Sequence, residues 1–430
     1  MASADVVVIG AGLSGLSAGI ALAEAGASVF LAAKGMAATH WSHGALDIAA
    51  PPRAETARQG LRWLAADEQH PYHRLAGDVE GALAALRGWL AAAGLPYEGG
   101  LDTPFAPLVT PIGGVRPVSI APSAQLAALQ PWGGDEGLLL VDFERFRDAW
   151  AAYAARNAAV VPWQGTRPAR IQALSVELPA LDRVHNLSSL DLAHFFDDPA
   201  WRARALEAIR RALPRTGSWR IGLPAVLGLD AHAEVLRDAQ RSLGHPLFEV
   251  PGLPPSVPGL RLFEALRGRL LAAGARFQFG FPVVEVERDG ARIVAIHTEG
   301  ASRTLRLVAD RFVLASGGIA GGGLRGERDG TLRDSVLGLA LSGPARAGWF
   351  DDDFLATQHP IEAAGFTVDD QLRPLAADGT PAAENVHVVG SALGGMHYLA
   401  QRCGDGVAIA SAARAARCAI GPSATVRGAA

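Results

Sequence analysis

Two hydrophobic patterns alternate at the start of the chain. Val6, Val7, Val8 and Ile9 form an unbroken β-branched run, the pattern of a short strand buried on both faces. Gly10, Gly12 and Gly15 follow as G-x-G-x-x-G, and small apolar residues then continue at helical spacing to about Ala25, where Gly26 breaks the run. Val29 to Ala32 is apolar again. The order predicts strand, helix and a second strand parallel to the first.

The far half of the chain repeats these signals. From Gly259 to Leu271 apolar residues recur at helical spacing, and the run stops at Gly274. "ARFQFGFPVVEVERDGARIVAIHT" (275–298) alternates as strands do, with Asp289-Gly290 as a hairpin turn. "RFVLASGG" (311–318) reads as a buried strand ending on Ser316, Gly317 and Gly318, with more glycines at Gly321 to Gly323. A last strand ends at Gly390, and a glycine-rich loop leads into a small-residue helix from about Asp405.

Between about Gly100 and Pro255 strands and helices alternate: "LLLVDFERFRDAWAAYAARN", "ARIQALSVELP", "SWRIGLPAVLGL" and "HAEVLRDAQRSLG". Prolines at 251, 254, 255 and 258 mark a return crossing. The predicted class is α/β. A discontinuous Rossmann-like domain is assembled from 1–100 and 256–430, and an α/β domain of 101–255 is inserted in it. Inserted domains of this kind commonly cap a cofactor and shape a substrate cleft.

Composition narrows the function. The 430 residues are 49% apolar and 19% charged, with a net charge of −4 and no block of like charge, so neither nucleic acid nor an anionic membrane surface is indicated. Cys403 and Cys418 are the two cysteines, too few for a disulfide framework or an iron–sulfur cluster, and no metal site is expected. The chain reads as cytoplasmic. Val6 to Ala33 carries one charge, Glu24, and is long enough to cross a bilayer, but it lacks basic flanks and its glycines sit at offsets a lipid-facing helix does not need.

The opening unit is suited to a phosphate. Gly10 makes the tight turn, Gly12 lets backbone approach a pyrophosphate, and Gly15 lets helix and strand pack closely. The helix start then offers N–H groups and a positive dipole end. At the tip of the second strand, however, Ala33 and Lys34 stand where a carboxylate normally accepts the ribose hydroxyls. NADP, FAD held by other contacts, and FMN all fit that substitution.

The three glycine clusters together resemble the FAD-dependent oxidoreductases of the fumarate reductase and glycerol-3-phosphate dehydrogenase kind. More specifically, "THWSHGALDIAA", "TPIGGVRP", "VDFERFRDAWAAYAA", "SVELPALD", "PPSVPGLRL", "VLASGGIAGGGL", "GFTVDDQLRP" and "GSALGGMHYLAQRCGDG" resemble the B-subunit family of anaerobic glycerol-3-phosphate dehydrogenase, nearly end to end. The resemblance implies a flavin at the three clusters. Its expected contacts are Gly10, Gly12, Leu13, Ser14, Gly15, Lys34, His40, Ser42, Gly44, Val284, Ser316, Gly317, Gly318, Gly390, Ser391, Gly404, Asp405, Gly406 and Val407. NADP alone has no use for the C-terminal element. The family implies FMN, and Ser391, where the broad class often has an Asp, points the same way; FAD is the alternative.

The implied reaction is oxidation of sn-glycerol 3-phosphate to dihydroxyacetone phosphate, with electrons passed toward quinone in fumarate or nitrate respiration. The implied partners are the catalytic A subunit and the iron–sulfur, membrane-associated C subunit, holding this chain peripherally on the inner face of the membrane without inserting it. Such chemistry needs a base and cations for the phosphate. His397 and His43 are candidate bases, and Arg116, Arg373 and Arg402 candidate phosphate clamps, with Arg402 also grouped among the catalytic candidates. Cys403 reads as a packed small residue, and Asp351 to Asp353 as a solvated turn or helix cap. A flavin-bearing relay or scaffold for a catalytic partner, and a free-standing reductase of fumarate-like acids, are the alternative functions. With no cluster or haem motif of its own, the chain needs a partner carrying the next redox centre.

Overall fold

The computed structural model describes residues 2–179, 181, 186–300, 303–339 and 341–420. The "SVELPALD" stretch therefore reaches residues 180 and 182, which lie outside the described residues. The fold is α/β and falls into two units. One takes the chain up to Ala38, then Asp47–Trp89 and everything from Ala265; the other takes Thr39–Leu46 and Leu90–Glu264.

The first unit is built on a seven-stranded sheet. Its strands are β1 (Ala2–Ile9), β2 (Val29–Ala33), β3 (Arg276–Phe279), β4 (Val283–Asp289), β5 (Arg292–Gly300), β6 (Arg303–Leu314) and β7 (Val386–Val388). Helix α1 (Leu13–Glu24) joins β1 to β2, and helix α2 (Gly404–Ile420) closes the described chain. The order is β3-β2-β1-β6-β5-β4, with β7 also paired to β6. β3, β2, β1, β6 and β7 run parallel, while β4 and β5 form an antiparallel hairpin on β6. The hairpin turns at Gly290, whose φ of 56° is left-handed. Val7, Val8, Leu31, Phe312 and Leu314 at the sheet centre are fully or almost fully buried, each burial contributing about 1.5–3 kcal/mol relative to exposure. That is why the VVVI run shows no polar alternation: all four side chains are buried, whichever face of the strand they point from.

The second unit has its own all-parallel sheet, in the order Leu247–Val250, Trp219–Pro224, Gly137–Phe143, Ile171–Val176. Helices Ala151–Val160, Ser189–Asp197, Pro199–Ala212 and His232–Leu243 connect these strands. Local chemistry sets their ends. Ser188 and Asp191 form a capping box, Asp198 caps the next helix ahead of Pro199, and Gly244 ends the last one with φ 66°. Inside this unit Glu249, 1% exposed, holds Arg261 through two hydrogen bonds of 2.6 and 3.0 Å.

Among the described residues no helix is long and apolar enough to cross a membrane, and Val6–Ala33 is the β1-α1-β2 unit.

Candidate cofactor site

Register brings the glycine clusters of the first unit together. Ile9 is the partner of Leu314, and Leu314 of Val388, so β1, β6 and β7 end side by side. The residues just beyond them are Gly10, Ala315 to Gly318, and Val389 to Ser391. A Cβ on Gly10 (φ 111°) would lie 2.2 Å from the Ala315 carbonyl oxygen, and one on Gly15 only 2.0 Å from that of Gly10. A Cβ on Gly390 (φ 70°) would lie 2.5 Å from Ser14 Oγ. The Gly318 amide donates to Ser391 Oγ at 2.9 Å, and the Gly390 amide to Ser411 Oγ of α2 at 2.9 Å. Close backbone approach explains each glycine here.

This surface fits a phosphate-bearing cofactor. Gly12 is the N-cap of α1 and supplies no side-chain cap, and the first turn has no acid to offset the positive end of the helix dipole, which favours an anion there. Two buried polar atoms, Ser316 Oγ and His397 Nδ1, have no hydrogen-bond partner among the described residues, as expected of groups that bind a ligand. Leu13 and Ser14 are buried in the same turn. At the end of β2, Ala32 and Ala33 are buried and Lys34 is exposed. The Phe281 amide donates to the Ala33 carbonyl at 2.9 Å, which brings the chain just before Val284 to that strand end. Val284 itself sits at a bulge in β4 and leaves its apolar side chain 54% exposed.

The late loop is fastened from below. Amides of Asp405 and Gly406 both donate to the Asp47 carbonyl at 3.1 Å, and Asp405 Oδ2 accepts the Asp47 amide at 2.9 Å. The Val407 amide donates to the Cys403 carbonyl at 3.0 Å, so three successive amides at the start of α2 are engaged within the chain. A Cβ on Gly406 would lie 2.0 Å from the Tyr72 hydroxyl, which donates to the Ile48 carbonyl. Gly395 (φ 90°) packs equally close on the Gln69 carbonyl, at 1.9 Å. Arg402 adopts a left-handed φ of 44°, an uncommon conformation for a side chain of this size, held where the Ala50 amide bonds the Gln401 carbonyl at 2.9 Å.

Behind this loop lies a cluster the sequence did not announce. His70 is fully buried, and its Nδ1 accepts the Tyr72 amide at 3.0 Å, which puts the ring proton on Nε2. That nitrogen is 3.7 Å from Cys403 Sγ, which lies 3.8 Å from Gln401 Oε1; Gln401 Oε1 also accepts the His397 amide at 2.8 Å. Burial pushes the His70 pKa down to about 4, and pushes the Cys403 thiol far up, so Cys403 is a packed neutral thiol.

The remaining candidates separate. Arg373 Nε donates to Asp369 Oδ2 at 2.7 Å and its amide to Oδ1 at 2.8 Å, so its guanidinium is engaged in a turn. The other five residues belong to the second unit. His40 is buried with its ring 4.1 Å from that of Phe263, and its carbonyl accepts the Ser256 amide at 2.9 Å. Ser42 Oγ accepts the Gly44 amide at 3.1 Å, and the His43 carbonyl accepts from Gln125 Nε2 at 2.6 Å. Gly44 (φ 97°) has its carbonyl bonded by the Tyr97 hydroxyl at 2.7 Å. Arg116 lies on strand Val115–Val118. Asp351 and Asp353 cap successive amides of an exposed turn.

Fold and site define a flavoprotein oxidoreductase, and a family model described as "FAD binding domain" matches residues 5–407. The B subunit of anaerobic glycerol-3-phosphate dehydrogenase from Yersinia pestis bv. Antiqua (strain Antiqua) is 33% identical over 425 residues, covering 95% of this chain and 96% of that protein. The protein of the same name from Pectobacterium atrosepticum is 31% identical over 422 residues, covering 95% and 96%. Among solved structures, 3-ketosteroid Δ1-dehydrogenase from Sterolibacterium denitrificans is 12% identical with a TM-score of 0.48, over 97% of this chain and 99% of that one; so distant a likeness bears on nothing further. The chain belongs to the B-subunit family of anaerobic glycerol-3-phosphate dehydrogenase. It is a flavin-dependent oxidoreductase chain, and the family's name implies a multisubunit complex.

Proposed function

We propose that this chain is the flavin-bearing subunit of a complex that oxidises sn-glycerol 3-phosphate to dihydroxyacetone phosphate. The convergence of Gly10, Gly318 and Gly390 at three adjacent strand ends is the observation that carries the proposal. FAD is favoured over the FMN expected from the missing acids, because the matching family is an FAD binding domain and because Val284 offers an exposed apolar contact beyond β2. The ribose is then held without a carboxylate at position 33 or 34.

When bound, a flavin supplies a two-electron hydride acceptor. The chain's own residues do the rest. The α1 N-terminus and the Gly10–Gly15 turn bind phosphate, and Ser316 and Ser391 orient the cofactor by hydrogen bonding. Oxidising a secondary alcohol releases one hydride and one proton; the unsatisfied Nδ1 of His397 is positioned by its own amide bond to Gln401 and is the group we assign to hold that proton. His43, Arg116 and Arg402 remain candidates for substrate contact. The electrons leave through partner chains, for which the family's catalytic A subunit and iron–sulfur C subunit are the candidates, since two separated cysteines cannot hold a cluster here. Those partners would also hold this chain on the inner membrane face.

A relay reading, in which a partner oxidises the substrate, is favoured by the engagement of Arg373 with Asp369. One experiment separates the two. The purified chain, denatured, should release FAD into the supernatant on chromatography, and anaerobic glycerol 3-phosphate should bleach its flavin in a single turnover. Flavin that stays oxidised until a partner chain is added supports the relay, and a chain that binds no flavin overturns both.

A further inference from the structure

The exposed turn at 351–353 belongs to a larger closed loop of the first unit. Its ends meet where the Ile361 amide donates to the Trp349 carbonyl at 3.0 Å. Within it the Asp351 amide donates to His359 Nδ1 at 3.1 Å, and the Asp353 and Leu355 amides donate to the carboxylates of Asp351 and Asp353 at 2.9 Å each. The Ala356 amide donates to the Asp353 carbonyl at 2.9 Å, and the Phe350 and His359 rings meet edge to face, 5.7 Å apart. Trp349 anchors the near end: its indole N–H donates to the Pro344 carbonyl at 3.0 Å, and a Cβ on Gly326 would lie 2.3 Å from its ring. A surface loop closed at its base and bonded through its own groups has a defined shape.

That shape turns apolar side chains toward solvent. Phe354 is 87% exposed, Leu355 81% and Phe350 66%, and Asp352 is exposed among them. Exposed apolar residues that are grouped and rimmed by charge mark an interaction surface, whereas scattered single ones do not. The loop also adjoins the candidate cofactor site. Two residues past its end the Ala363 carbonyl accepts the Gly395 amide at 2.9 Å, and the Gly394 amide donates to the Phe366 carbonyl at 3.1 Å. It therefore stands on the late segment that carries His397.

Charge decides between occupants. Three carboxylates beside the apolar groups repel an anionic bilayer surface and the same loop of a second copy. They suit an apolar protein pocket rimmed by Lys or Arg. We infer that loop 349–361 is the docking element for another protein chain of the complex, whose pocket takes Phe354 and Leu355 and whose basic rim faces Asp352. The inference rests on the reading above that this chain works in a multisubunit complex. It puts the contact next to the late loop of the cofactor site, from which electrons have to pass on.

The test purifies the tagged, flavin-loaded chain from cells co-expressing the A and C subunits. Wild type should retain at least one of them in fixed ratio. Phe354→Ser combined with Leu355→Ser should lower the retained partner at least about tenfold, with flavin absorbance and urea midpoint at wild-type values because both side chains lie in solvent. Asp352→Lys should weaken retention and make it less sensitive to salt. Full retention by the double variant overturns the docking inference alone, whereas a wild-type chain that retains neither subunit overturns the complex reading with it. Loss of flavin or of the fold in the double variant would show packed side chains and overturn it too. So would binding of the lone chain to phosphatidylcholine–phosphatidylglycerol vesicles, or a dimer of the lone chain, that the double variant abolishes.

Discussion

Replacing His70 by Gln tests how the late loop is held. In the native chain the buried ring is neutral, with Nδ1 accepting the Tyr72 amide and Nε2–H directed at Cys403. Burial is the main reason its pKa falls to about 4; the charge of Asp67 and the bond to Gln401 raise it in opposition, and His397 lowers it further. The folded value lies below the ordinary 6.5, so above pH 6.5 the ring is neutral in both states and the native arrangement is at full strength. As pH falls from 6.5 toward 4 the unfolded chain takes up a proton that the folded chain refuses, and stability is lost. One pKa unit is 1.36 kcal/mol, so the full loss is ~3 kcal/mol, of which about 2 kcal/mol falls between pH 7 and pH 5. His70→Gln removes this titration. Urea unfolding should show the variant less stable than wild type at pH 7 by about 1–2 kcal/mol for the lost buried hydrogen bonds. At pH 5 that gap should close or reverse, because only the wild type has lost the ~2 kcal/mol. A gap of the same size at both pH values would refute the buried neutral imidazole, and labelled-histidine NMR would show the same failure as a ring titrating near 6.5.

Gly390→Ala should cost about 1–3 kcal/mol, from a left-handed φ and a Cβ 2.5 Å from Ser14 Oγ, and should lower flavin content on purification by about tenfold; wild-type flavin absorbance would count against the convergence of strand ends. Glu249→Gln leaves the buried Arg261 guanidinium without its counter-charge, so the unfolding free energy should drop by about 3–5 kcal/mol, read by urea titration, whereas a drop under 1 kcal/mol would mean water reaches the pair. Arg373→Ala should change the KM for glycerol 3-phosphate of the assembled complex by less than about twofold and stability by under ~1 kcal/mol, since the side chain is engaged by a neighbouring Asp on a partly exposed turn; a tenfold rise in KM would return it to the phosphate site.

Glycine carried most of what could be read in advance. Where backbone must pass within van der Waals distance of backbone, as at Gly10 and Gly15, no other residue fits, and the requirement is written at fixed spacing. The strand Val6–Ile9, the helix after it and the hairpin at Gly290 were legible for the same local reasons. The support behind the late loop was not. His70 lies 333 residues before Cys403 and outside every motif quoted above, because their juxtaposition comes from packing rather than from local spacing. The pairing of Arg373 was hidden in another way: an arginine on a loop gives no sign that Asp369, four residues earlier, engages it.

By itself the sequence determined the α/β class and the strand, glycine turn and helix that open the chain, because each follows from residue types at short spacing. Tertiary structure decided that three distant glycine clusters share one edge of a sheet. It also decided that Thr39–Leu46 packs with the second unit rather than the first. These depend on which strands become neighbours. Strand pairing is settled by the burial of whole apolar faces, a property of the assembled chain that no single segment contains.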